Sequence, residues 1–316
     1  MSVLSIDSLE TPRFCGVPTF MRLPQANSRE ELELLDAAII GLPSDSGAPF
    51  RTGARFGPNA ARAMSIMLRP INPYRGLNVF ERLRCADAGD APVVPGYLIE
   101  TLDRLEASVG TLVDAGVAPF GIGGDHSVTL AALRAVARRR GPLALVHFDS
   151  HTDTWDSYFA GKEYSAGTLF RRAAEEGIVS PEHSVQIGMR GSQFASNDVS
   201  QSADLGYEVV TTDNLFKIGA EALAARIAAR TAGWPVYLTF DLDFVDPAFA
   251  PAVETPEAGG PTAREALDLL RRLKGLDLAG CDVVELCPPF DQPAQITALL
   301  AATVLAELLA LKAEAT

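Results

Sequence analysis

The chain alternates between short apolar runs and helix-length stretches over most of its length, and that alternation leaves few folds open. The runs DAAIIGLP (36–43), APFGIGG (118–124), LALVHFD (143–149), SVQIGMR (184–190), YEVVT (207–211), PVYLTFDLD (235–243) and CDVVELCP (281–288) read as strands. Several are continuous and rich in Val and Ile, the pattern of strands buried on both faces. Between them, 99–116 and 128–141 carry apolar residues at helical spacing and end in Gly116 and Gly141. Segments 220–233 and 262–275 repeat the pattern, and Thr262 with Glu265 has the spacing of a capping box. Such alternation predicts an α/β fold, a central mainly parallel sheet with helices on both faces. No repeat, low-complexity tract or Ser/Gly linker divides the 316 residues. One domain over 1–316 is therefore expected, with an extended N-terminal arm over 1–30 marked by Pro12, Pro18 and Pro24.

Bulk properties exclude some partners. A net charge of −13 argues against nucleic acid and against anionic membrane. It suits a small cationic substrate. Cys15, Cys85, Cys281 and Cys287 form no CxxC pair, and reduced thiols in a cytoplasmic protein are expected. The N-terminal residues lack a basic region followed by an apolar one, so no signal peptide is expected. The longest apolar run, 296–312, is interrupted by Glu307. It falls short of a usual membrane span and predicts a buried helix.

Three of the candidate strands end in metal-ligand chemistry. Asp125 and His126 follow GIGG, Asp149, His151 and Asp153 follow LALVHF, and Asp241 and Asp243 follow VYLTF. In open α/β sheets ligands bind beyond the carboxyl ends of the strands. In extended backbone, residues at i, i+2 and i+4 share a face. His126, Asp149, His151, Asp153, Asp241 and Asp243 can therefore meet in one site. Two imidazoles and four carboxylates exceed what one tetrahedral zinc needs. They suit two divalent ions sharing carboxylates, manganese ahead of nickel or cobalt. Two such ions can hold a water between them and lower its pKa toward neutrality. So many carboxylates beside apolar strands carry a heavy desolvation cost unless something positive pairs with them.

GGDHS (123–127), DSHTD (149–153), DLDFVDPAFAP (241–251) and TPEAGG (255–260) resemble the signatures of the ureohydrolases, the arginases, agmatinases and related amidinohydrolases. PRFCGVPTFMRLP (12–24) and RTGARFGP (51–58) are similar to the subgroup acting on agmatine, guanidinobutyrate, guanidinopropionate and proclavaminate precursors. The resemblance implies an arginase-like three-layer α/β/α domain that assembles as trimers or hexamers. It implies hydrolysis of a guanidinium group to urea and an amine by a hydroxide bridging two metals. One ion would take His126, Asp149, Asp153 and Asp241, and the other Asp149, His151, Asp241 and Asp243. Asp153 would hydrogen-bond the nucleophile. Glu285, in VVELCPPFD, would accept hydrogen bonds from the guanidinium NH2 groups. His147 falls outside the ligand set as a core or supporting residue, and His183 reads as a surface-loop residue.

Three positions depart from the resemblance. Ala166, in SAGT, stands where the family carries a histidine that moves a proton to the leaving amine. A positioned acid or base is worth about 10²- to 10⁴-fold in rate. Trp155 replaces a polar residue that binds the substrate carboxylate in arginases, and offers an apolar face for a substrate. Ala252 and Glu254 replace loop glycines, and Glu254 is expected to add negative charge at the site mouth as a substrate-binding residue. Together these favour a cationic or apolar guanidine over one with a free carboxylate. An alkylated guanidine or biguanide of the metformin kind is one alternative. A weakly active subunit that assembles with an active paralogue is another.

Overall fold

The computed structural model describes residues 9–316. Eight strands join one sheet: β1 Ala37–Leu42, β2 Cys85–Asp90, β3 Ala118–Gly123, β4 Ala144–Phe148, β5 Val185–Met189, β6 Glu208–Thr211, β7 Pro235–Asp241 and β8 Asp277–Val284. Their spatial order is β2-β1-β3-β8-β7-β4-β5-β6. Every neighbouring pair in that sheet runs parallel. A separate two-stranded antiparallel ribbon pairs Ile71–Asn72 with Leu77–Asn78.

Alternate side chains of each strand enter opposite apolar layers. Ile39, Phe120, Val146 and Phe240 pack with Ala61, Leu269 and Val304, from helices Gly57–Ser65, Ala263–Arg272 and Ile296–Ala315. Ala38, Ile40 and Leu145 pack on the other side with Leu105, Val109 and Leu133, from helices Leu98–Asp114 and Val128–Arg140. The result is the three-layer α/β/α arrangement. The capping box forms as its spacing predicts, with Thr262 accepting from the Glu265 N–H and Glu265 accepting from the Thr262 N–H. Helix Ile296–Ala315 is long and apolar enough to cross a membrane, but 72% of its most apolar window is buried inside the fold. It is a core helix, and Arg271 donates to its Glu307 at 2.8 Å.

Some boundaries differ from the sequence reading. Strand β8 begins at Asp277 and ends at Val284 rather than covering 281–288. Glu285 takes a left-handed φ of 69°, which stops the ladder before Pro288. Strand β2 has no apolar run to betray it. Its residues are CADAGD, and the buried Asp87 pairs with Arg62 at 2.8 Å. Within the expected arm, residues 1–8 lie outside the described residues. The rest is packed down: Phe20 is fully buried in a three-residue 3-10 turn, its N–H donates to Asp87 at 2.8 Å, and a short helix starts at Arg29.

Candidate active site

Strands β3, β8, β7 and β4 are the four central neighbours of the sheet, and each ends in site residues. After β3, a Cβ on Gly124 would stand 1.6 Å from the Ser44 carbonyl oxygen. Glycine alone lets the chain turn there and deliver Asp125 and His126. After β4 come Asp149, His151 and Asp153, the last at a left-handed φ of 51°. Strand β7 ends at Asp241, and the 3-10 turn Leu242–Phe244 carries Asp243. Glu285 directly follows the end of strand β8 at Val284. All six predicted ligands and Glu285 therefore converge at one sheet edge.

Their polar atoms are close. The Nδ1 of His126 lies 3.0 Å from Asp149 Oδ2, 2.9 Å from Asp153 Oδ2 and 3.3 Å from Asp241 Oδ2. The Nδ1 of His151 lies 3.0 Å from Asp243 Oδ2 and 3.5 Å from Asp149 Oδ1. Asp149 thus reaches toward both imidazoles, one oxygen to each. Backbone donors fix the carboxylates: the His151 N–H to Asp149 at 2.6 Å, the Asp243 N–H to Asp241 at 2.7 Å and the Ser150 N–H to Asp243 at 2.9 Å. On its far side His126 Nε2 meets Thr239 Oγ1 at 2.9 Å, which fixes the ring. His147 has no exposure and sits 2.6 Å from Asp149 Oδ2, with Gln186 3.0 Å from its other nitrogen. It buttresses Asp149. His183 lies elsewhere, stacked on Trp234.

The electrostatics ask for cations. Burial and the charge of Asp149 push the Asp153 carboxyl up to about 7. Burial and the charges of Asp243 and Asp149 push Asp241 well above the ordinary range. Burial opposes the charged forms of His126 and His151, yet the carboxylates around them raise both well above the usual histidine range. His126 Nδ1 is buried and makes no well-directed hydrogen bond, although three carboxylate oxygens crowd it. An imidazole nitrogen ringed by carboxylates is a candidate ligand set. Two groups of donor atoms, His126–His147–Asp149–Asp153 and Asp149–His151–Asp243, each lie within 4.8 Å and share Asp149. The residues fit a pair of divalent ions with a shared carboxylate.

Residues 35–310 match the model of the arginase family. The chain belongs to the arginase family. It is 44% identical over 309 residues to a guanidinopropionase of Pseudomonas aeruginosa, covering 98% of this chain and 96% of that one. It is 42% identical to a guanidinobutyrase of the same organism, covering 95% and 93%. The solved structure of proclavaminate amidinohydrolase from Streptomyces clavuligerus superposes with a TM-score of 0.90 at 40% identity, covering 97% of this chain and all of that one.

In this arginase-family chain the candidate ligands His126, His151, Asp153 and Asp241 line a cavity of about 100 Å³. Trp155, Ala166 and Glu285 line it. Glu285 Oε1 accepts the His126 N–H at 2.6 Å, while its Oε2 is buried without a partner. The Trp155 indole stacks on Tyr158 with centroids 4.6 Å apart and planes 9° apart. Its backbone N–H donates to Gly167 at 3.1 Å, and a Cβ on Gly167 would come 3.2 Å from the ring.

Glu254 is a correction. It has no exposure and does not line the cavity. Burial, with Glu285 and Asp125 nearby, pushes its pKa up to about 11. It lies under the loop, accepting from the Ala54 N–H at 3.3 Å. Its side chain is turned inward beside the turn that begins at Ala54.

Sequence reasoning missed Arg190, Tyr158 and Asp198, which also line the cavity. Arg190 was read only as the end of a strand. Its five N–H groups all go to carbonyls: Nε to Glu257 at 3.2 Å, Nη1 to Gly188 and Phe244 at 3.3 and 3.0 Å, and Nη2 to Asp243 and Glu257 at 2.6 and 2.7 Å. A cation at the end of an apolar strand beside three carboxylate motifs was the available signal. Tyr158 and Asp198 lie in loops, where no periodicity marks them.

Proposed function

We propose that this arginase-family hydrolase, which acts on the carbon–nitrogen bonds of linear amidines, takes small guanidino compounds whose tail carries no carboxylate. The observation behind this is the saturation of Arg190. Among the described residues it is the one lysine or arginine that lines the cavity, and all five of its N–H donors already hold backbone oxygens. Nothing cationic is left to receive an acid tail. The relatives named for guanidino acids share the family and the fold, while the tail wall is built from loops that carry Trp155 and Asp198 in this chain.

His126, Asp149, His151, Asp153, Asp241 and Asp243 would hold two divalent ions, and their carboxylate-rich character ranks manganese ahead of nickel. When bound, such ions lower the pKa of a water between them and polarise the atom under attack. The chain's own groups do the rest. Glu285 offers its unpartnered Oε2 to the guanidinium N–H groups and orients the planar carbon toward the ligands. Asp153 accepts a hydrogen bond from the attacking oxygen. Ala166 holds no proton, so the departing amine is left to Asp153 in the same cavity.

The chain is further proposed to be cytoplasmic and to form a trimer or hexamer. All four cysteines are free thiols, which suits a reducing compartment. Exposed aromatic surface, with Phe50 72% and Phe14 83% accessible, suits contact between copies. Ala166 favours one further reading, a weakly active subunit completed by an active paralogue.

The test is urea release by the purified chain loaded with Mn2+ or Ni2+. Agmatine, guanidine and dimethylbiguanide should be turned over with higher kcat/KM than 4-guanidinobutyrate. A clear preference for guanidinobutyrate overturns the reading of the tail. Full metal content with no urea from any of the four, and rescue by a second chain, establishes the subunit reading instead.

A further inference from the structure

We infer that Asp198 is the counter-ion for a second positive charge on the substrate, so that the cavity selects guanidino compounds with a cationic tail. The inference rests on the proposed function for the guanidinium end and adds the chemistry of the opposite end.

Asp198 lines the same cavity as Glu285 and Asp153, yet it is only 8% exposed. Its Oδ2 is fully engaged, accepting the Phe194 N–H at 2.7 Å and the Ala195 N–H at 3.0 Å. Its Oδ1 accepts no hydrogen bond from the chain. No described lysine, arginine or histidine pairs with the carboxylate, and Arg190, the cation nearest in the cavity wall, has no donor free. Oδ1 stays open to solvent on the cavity wall, a free acceptor with no positive partner. An ammonium or amidinium arriving with the substrate supplies one through a charge-assisted bond. Two backbone N–H groups already hold the carboxylate in place, so little ordering is required when the ligand binds. The parallel Trp155–Tyr158 stack lines the same cavity and gives the methylene linker an apolar wall. A carboxylate tail would meet Asp198 as a like charge, and a neutral tail would leave it unpaired.

Three substrates of similar length separate the cases: agmatine with a cationic end, 1-butylguanidine with a neutral end and 4-guanidinobutyrate with an anionic end. The metal-loaded chain should rank them in that order of kcat/KM. Asp198→Asn keeps an oxygen to accept both backbone N–H groups and should melt like the parent. It should lower kcat/KM for agmatine about 10- to 100-fold, mostly through KM, and leave butylguanidine within about twofold. An equal loss on all three substrates overturns the role of Asp198. If no substrate yields urea, the proposed function fails, and binding still decides this inference. In a Trp234→Phe background Trp155 is the remaining indole of the two, and its fluorescence reports 1,4-diaminobutane directly. A diamine Kd raised about tenfold or more by Asp198→Asn sustains the counter-ion role, and an unchanged Kd sinks it.

Discussion

Glu285 accepts the backbone N–H of His126 through Oε1 at 2.6 Å and leaves Oε2 buried and unpartnered. One carboxylate thus ties the end of β8 to the turn after β3 and still has an oxygen for a ligand. Glu285→Gln keeps the shape and an acceptor for His126, but removes the charge. It is expected to lower kcat/KM by about 10²- to 10³-fold, with metal content and melting temperature close to those of the parent. A variant that retains most of its activity would remove Glu285 from guanidinium binding.

The candidate metal ligands predict a pH-dependent stability that metal should reverse. Asp153 and Asp241 have folded pKa values above the unfolded one, so without metal the folded chain must keep protons that the unfolded chain has lost. Their contribution falls as pH rises from about 4 through 7. His126 and His151 are also raised, so their contribution is present below the unfolded pKa and lost as pH rises through the folded one. Asp149 is held well below the usual range against its burial, by the imidazoles of His147, His126 and His151, and its contribution disappears only in acid. The metal-free protein should therefore lose stability as pH rises from about 4 through 7 and beyond. Manganese at 100 times its Kd should restore about 2.7 kcal/mol, and the rise in Tm should be larger at pH 8 than at pH 6. Calorimetry of chelated and reloaded protein at the two pH values measures this. A rise that is larger at pH 6 contradicts the ligand assignment.

Glu254 makes a similar prediction away from the ligands. Unfolded, it loses its proton near the ordinary glutamate pKa, whereas folded it keeps it up to about 11. Between those values each unit of pH costs the fold up to about 1.4 kcal/mol at this one residue. Glu254→Gln should be stable, and its urea-denaturation midpoint should fall less from pH 6 to pH 9 than that of the parent. An identical pH slope in the two proteins would show that Glu254 is ionised in the fold.

The layered fold and the meeting of the six candidate ligands at one sheet edge were legible because they obey local rules. Strands buried on both faces read as Val- and Ile-rich runs, and ligands at i, i+2 and i+4 announce a shared face. What stayed hidden was decided by tertiary contacts. Strand β2 is polar in sequence and is held by Arg62 against Asp87. Glu254 looks like a mouth charge in sequence and becomes a buried acid because the loop folds inward. Arg190 reads in sequence only as the end of a strand, and its guanidinium is already held by four backbone oxygens through five hydrogen bonds. Spacing says which residues share a face, and it cannot say whose hydrogen bonds are already taken.

Trp155 and Ala166 bear on each other through Gly167. The indole lies against Gly167 closely enough that a Cβ there would come within 3.2 Å of the ring, and Ala166 is the next residue, 6% exposed on the same cavity wall. An imidazole placed at 166 must share that wall with the indole. Ala166→His alone is therefore expected to leave kcat no higher than the parent, since the added ring has no room to present its nitrogen. Trp155→Asn with Ala166→His opens the wall. The double variant should gain about 10-fold or more in kcat over Trp155→Asn alone, as a positioned acid does. The four proteins form a double-mutant cycle, and coupling between the sites is the expected result. A 10-fold gain in the single Ala166→His variant would show that the indole leaves the space free and that alanine alone limits proton transfer to the amine.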